Sequence, residues 1–256
     1  MDNKYIISLV SYLNTKPFLY GLENAAIKEK LDLQLDIPSV GGKKILNGSV
    51  DIGLVPVAVL AKLDDARIIT DYCIGADGPV KSVSIFSEQP IDKIEKVFLD
   101  YHSLTSVQLV KILLREYWQV NPIQIAAETG YIDQIKDTTA GLVIGDRALA
   151  LNKKFAYVYD LSEAWKQMTG LPFVFAAWIT RKTIPEGIIF EINEALKFGV
   201  QHIDLVAKNY THPNFSIAEV QDYLQNDISY NLDNTKRRAL DLFISKVRSN
   251  TNIEVE

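Results

Sequence analysis

The run ARIITDYCIGADGPVKSVSIFS, residues 66–87, decides how the chain is laid out. Its first half is rich in β-branched and apolar residues, GADGP forms a turn, and KSVSIFS opens a second strand. Residues 76–83 are therefore the first candidate crossover between two domains. Upstream, KYIISLVS, a helical FLYGLENA, LDLQLDI, GGKKILNGS and DIGLVPVAVLAKL alternate strand and helix patterns, which predicts an α/β fold. Two glycines in SVGGKKILNGSVDIGLV open a short helix, Gly48 sits at its C-terminal cap and Asp51 leads into the next strand. Units of this kind carry ligands at the ends of their strands.

Downstream, KVFLD, IQIA, TTAGLVIG and KFAYVYDL read as strands of a self-contained parallel sheet. The helix over residues 105–118 places Val107, Val110, Leu114 and Tyr117 on one stripe. The apolar LPFVFAAWIT marks the return crossover at residues 171–180, by core or hinge packing or as a pocket wall. After it, IDLVAKNY, SIAEVQDYL and NTKRRALDLFISKV are amphipathic helices with no strand between them. The expected plan is one discontinuous lobe, residues 1–80 plus 178–256, and an inserted lobe, residues 81–177. Two chain crossings between them make a hinge.

The 256 residues, 48% hydrophobic and 23% charged, suffice to bury roughly 70–75% of the unfolded surface without disulfides or metals. Twenty-seven Lys and Arg against 32 Asp and Glu leave a net charge of -5, which argues against a nucleic-acid surface but allows a local cationic pocket. Cys73 is the only cysteine, so no intramolecular disulfide forms and a buried structural thiol is expected. The opening MDNKYIISLVSYLN reads as a strand and not as a signal peptide, and no segment approaches about 18 uninterrupted apolar residues. A cytoplasmic protein that does not bind membranes is the expectation.

SYLNTKP, residues 11–17, follows the first strand, with Pro17 suited to a helix start; Asn14 or Thr15 serves there as a cap, or Asn14 as a ligand contact. Ser103, Thr105 and Ser106 precede the long helix of the second lobe, where free backbone amides favour an anion; plain capping uses the same letters. In VIGDRALAL, Asp146 is placed to cap a strand-to-helix turn, with Arg147 on the same rim. His102, His202, His212 and the lone cysteine are too scattered for a metal, and His102 reads as an ordinary loop or capping residue. Phosphate-loop, dinucleotide and GxSxG patterns are missing, so neither a nucleotide cofactor nor a nucleophilic serine is expected.

Taken in order, SYLNTKPFLYGL, DIGLVPVAVLAKL, KSVSIFS, LDYHSLTSVQL, GLVIGDRAL and TGLPFVFAAW resemble the menaquinone-biosynthesis chorismate dehydratases of the futalosine pathway, over residues 5–180. The SYLN opening is closer to these than to the related naphthoate-forming enzymes. The resemblance implies a type II periplasmic-binding-protein-like α/β fold, with two lobes of mixed or parallel sheets around a central cleft. It also implies a carbon–oxygen lyase that converts chorismate to 3-[(1-carboxyvinyl)oxy]benzoate and water, without cofactor or metal.

On the matching positions, Asn14 becomes the polar contact at the reacting face. Ser84, Ser103, Thr105 and Ser106 become candidates for the substrate's two carboxylates, with Gly145 and Asp146 shaping the opposite rim. No matched position supplies a side-chain base, which leaves the enolpyruvyl carboxylate to remove its own ring proton. The alternative is a noncatalytic protein that binds or senses a small carboxylate.

Overall fold

In the computed structural model, which describes residues 4–151, 154–210 and 214–253, the chain begins with β1 (Tyr5–Val10), α1 (Lys16–Asn24), β2 (Leu31–Asp36), α2 (Pro38–Leu46), β3 (Ile52–Pro56) and β4 (Arg67–Ala76). It continues through β5 (Val83–Ser87), β6 (Lys96–Leu99), α3 (Thr105–Glu116), β7 (Ile123–Ala126), β8 (Thr139–Ile144), α4 (Asp146–Leu149), β9 (Tyr157–Asp160) and α5 (Leu161–Thr169). The last part is β10 (Phe173–Thr180), α6 (Glu186–Gln201), α7 (Ile203–Asn209), α8 (Ile217–Asp222), a π-helical turn at Tyr223–Asp227, β11 (Ser229–Asn231) and α9 (Asn234–Ile253). His212 lies outside the described residues.

Among the described residues the strands form two sheets. The first, ordered β11-β4-β10-β3-β1-β2, draws on both ends of the chain, and the second, β7-β6-β8-β5-β9, on the middle. In the first, β1 is parallel to β2 and β3, whereas β10 runs antiparallel to β3 and β4. Every residue of β3 and β10 is buried, which is why these strands are unbroken apolar runs instead of alternating ones. All of β10 belongs to the first sheet from Phe173 onward, so the chain has returned before the expected division at 177/178. An unbroken apolar run carries no mark of where it changes sheets.

The inserted sheet is mixed, not wholly parallel: β6 is parallel to β7 and β8, but β5 is antiparallel to β8 and β9. Strand direction depends on where the crossover delivers the chain, which a short apolar run does not encode. A further strand, β11, lies between α8 and α9 where the pattern predicts none; three residues are too few to show a period. The glycines of α2 lie within the helix, which starts at Pro38, while Gly48 follows its end with φ +74°.

The α3 stripe is also broader than its spacing suggests. Leu109, Val110, Ile112, Leu113 and Leu114 are buried and Val107 and Tyr117 only half-buried, because α5, α9, β8 and β10 surround the helix on several sides. Elsewhere α1 and α6 cross backbone to backbone. A Cβ on Gly199 would stand 1.8 Å from the Pro17 carbonyl oxygen, and one on Gly21 1.9 Å from that of Ala195. Cys73 is fully buried on β4.

Candidate active site

The segments that follow the carboxyl ends of β1, β3, β6 and β8 converge between the two sheets, the position at which open α/β sheets hold ligands. They bound a small cavity of about 50 Å³. Val10, Ile74, Val80, Val83, Ile144 and Phe175 make its apolar wall, and Tyr12, Asn14, Ser82, Ser103, Thr105 and Ser106 its polar one. Among the described residues, no Asp, Glu, Lys, Arg or His lines it. An anion entering here meets neutral donors and the N-terminal end of α3, whose backbone amides carry partial positive charge.

Three hydroxyls share one arrangement. Ser103 Oγ accepts the Ser106 N–H at 2.9 Å, Thr105 Oγ1 accepts the Ala58 N–H at 3.2 Å, and Ser82 Oγ accepts the Tyr223 hydroxyl at 2.8 Å. Accepting a bond leaves a hydroxyl's single proton unused, so each of these groups can still donate to a ligand. The cavity is thus lined by directed donors. Asn14 is fixed through its backbone, whose carbonyl accepts the Tyr230 hydroxyl at 3.1 Å. Its side chain has a long 3.4 Å contact with Thr15 Oγ1 and a hydrogen bond to Tyr223.

Bonds across the cleft hold the lobes together. The Tyr12 hydroxyl meets His102 Nδ1 at 2.6 Å, Ser39 N–H donates to the His102 carbonyl at 2.9 Å, and Leu13 N–H donates to Asp146 Oδ1 at 3.0 Å. Behind them Asp100, fully buried, takes two bonds from Arg147 Nη2, at 2.9 and 2.7 Å, and accepts the backbone N–H groups of His102 and Ile144 at 3.0 Å each. Burial raises the Tyr12 pKa well above that of a free phenol, so it stays protonated. Burial and the Arg147 cation lower the His102 pKa, and Asp100 opposes them. Gly145, at φ +67°, faces the Tyr12 ring so closely that a Cβ would lie 2.7 Å from it.

Of the residues singled out in the sequence, Asn14, Ser103, Thr105, Ser106 and Gly145 line the one cavity. Ser84 does not. Successive residues of a strand face opposite ways, so Val83 points into the cavity and Ser84 lies buried beside a separate groove with Lys81 and Asp160. Asp146 stands outside too: it occupies the first position of α4 without capping it, and its carboxylate is committed to Leu13. Neither Asn14 nor Thr15 caps α1 through its side chain.

Tyr12 and Ser82 also line the cavity, and although both lie inside the motifs SYLNTKP and KSVSIFS, nothing local in the sequence sets them apart there. Ser82 parts from Ser84 because it precedes β5, in the irregular backbone of the crossover, whereas Ser84 lies within the strand. Among the described residues no group of three or more His, Cys, Asp or Glu side chains is placed to hold a metal, and no helix is long and apolar enough to cross a membrane.

A family model described as menaquinone biosynthesis matches residues 6–249. The chain is 29% identical to the chorismate dehydratase of Thermus thermophilus, with 93% of each chain covered. It is 22% identical to that of Campylobacter jejuni, over 95% of this chain and 98% of that one. Among solved structures, an Archaeoglobus fulgidus protein superposes with a TM-score of 0.71 at 13% identity, covering 98% of both chains. The alkanesulfonate-binding protein of Xanthomonas axonopodis pv. citri, solved with MOPS bound, superposes at 0.62 and 12% identity, over 96% of this chain and 93% of that one. A Candida albicans protein described as having the generic periplasmic-binding-protein fold gives 0.61 at 11% identity, over 95% and 90%. The two-lobed architecture is that of the type II periplasmic-binding-protein class.

Proposed function

The chain belongs to the menaquinone-biosynthesis family, and from that premise we propose that its cleft dehydrates chorismate to 3-[(1-carboxyvinyl)oxy]benzoate. The observation that carries this reading is a cavity of directed neutral donors with no acidic or basic side chain on its walls. Such a cavity is suited to a dicarboxylate that brings its own base.

In the proposed reaction the enolpyruvyl carboxylate takes the proton from the ring carbon that bears the ether. The released electron pair forms the ring double bond as the neighbouring hydroxyl departs. That hydroxyl leaves as water on receiving the same proton, and the carboxylate is restored. Aromatisation of the ring drives the elimination, so the protein's contribution is mainly orientation and exclusion of solvent. Ser103, Thr105 and Ser106 at the start of α3 hold one carboxylate, while Asn14 and Ser82 face the reacting side.

Incubating the purified protein with chorismate and identifying a product lighter by one water tests the proposal. Binding of chorismate without any product would instead favour a carboxylate receptor, for which the same neutral donors serve.

A further inference from the structure

We infer that Tyr223 is a positioning residue for this reaction, directing the Ser82 proton into the cleft from behind; the inference rests on the dehydratase reading. Tyr223 is buried, and its hydroxyl donates to Ser82 Oγ at 2.8 Å. Burial raises the pKa of the phenol, so it keeps its proton, and the same hydroxyl is also hydrogen-bonded by the Asn14 side chain on the cavity wall.

The local backbone explains why this bond sits where it does. Tyr223 opens the π-helical turn, closed by Ile228 N–H on the Tyr223 carbonyl at 3.2 Å, and single turns of this kind recur at functional sites. Four residues further on, Asp227 lies 2.9 Å from Lys81 Nζ. One turn therefore grips two successive residues of the crossover, Lys81 and Ser82. The crossover backbone is already held without Tyr223: Gly145 N–H donates to the Ser82 carbonyl at 2.8 Å, and the Val80 and Lys81 N–H groups donate to Asp160 Oδ2 at 2.8 and 2.7 Å. What the Tyr223 hydroxyl adds is the direction of the Ser82 proton. A tyrosine hydroxyl aimed at the serine oxygen leaves that proton only the cavity side, and donors chained in this way strengthen one another.

A double-mutant cycle in steady-state turnover of chorismate tests the inference. Tyr223→Phe and Ser82→Ala should each lower kcat/KM by about ten-fold, and the double variant should be no slower than the slower single one. Wild-type turnover by Y223F, or losses that multiply in the double variant, would overturn it. A Y223F protein that fails to fold would overturn it as well, by assigning the hydroxyl to stability. Wild-type protein inert toward chorismate would instead defeat the reaction itself, an outcome visible before any variant is made.

Discussion

The Tyr12 hydroxyl lies 2.6 Å from His102 Nδ1, joining the loop after β1 to the loop after β6 across the cleft. The two rings stack with centroids 6.3 Å apart and planes 12° from parallel. Together with the Leu13–Asp146 and Ala58–Thr105 bonds, this pair holds the lobes in a closed arrangement around the cavity. Closure of this kind sequesters a bound substrate from water, which links the two chain crossings to the elimination step.

The His102 contact makes closure sensitive to pH. Burial first, and Arg147 next, hold its pKa below the ordinary 6.5. A base depressed in the folded state contributes stability that is fully present above its unfolded pKa and is lost as pH falls below about 6.5. Asp160, pushed up to about 6 by burial, has the opposite slope: its contribution is lost as pH rises from its ordinary 3.8 through about 6. The difference between wild type and His102→Gln therefore isolates the histidine. Thermal midpoints measured between about pH 5 and 8 should converge on acidification and separate above pH 6.5. A constant difference would contradict this account.

The crossing of α1 and α6 has no room for a side chain. Gly199→Ala should destabilise the fold by about 3 kcal/mol, because the helix backbones must separate. Gly187, on the same helix, has open space around it, so Gly187→Ala should be neutral or stabilise by up to about 1 kcal/mol. Urea unfolding of the two variants checks the contrast.

Burial on β4 pushes the Cys73 thiol up to about 12. Thiolate is the reactive form, so an aromatic disulfide reagent should label the native protein very slowly and the denatured protein promptly. Native labelling at the denatured rate would contradict the burial.

Asn14 lines the cavity, its backbone carbonyl held by Tyr230 and its side chain hydrogen-bonded to Tyr223. Asn14→Ala should lower kcat/KM roughly 100-fold and cost only about 1 kcal/mol of stability, for the lost bond to Tyr223. A large loss of stability with modest loss of turnover would reverse that assignment.

Much of this architecture is legible in the sequence because its strands are either alternating or wholly apolar and its turns carry glycine and proline, as in GADGP before β5. The edges blur where burial is complete: the first seven residues of β10, Phe173 to Ile179, carry no polar side chain to mark the entry into the first sheet. Site residues from loops that follow strand ends, such as Asn14 and Ser103, were accessible through their motifs. Ser82 and Ser84 are two residues apart, where an unbroken strand would give them one face; they part only because Ser82 precedes β5, and the sequence does not mark where β5 begins. Tyr223 is 141 positions from Ser82, and no local pattern connects residues so far apart.

Whether the cleft works without a base of its own is tested most directly by comparing chorismate with an analogue whose enolpyruvyl carboxylate is replaced by a neutral carboxamide. Chorismate should lose water, and the analogue should bind in the cleft and remain intact. Dehydration of the carboxamide at a comparable rate would contradict the account, as would chorismate that binds and is recovered unchanged.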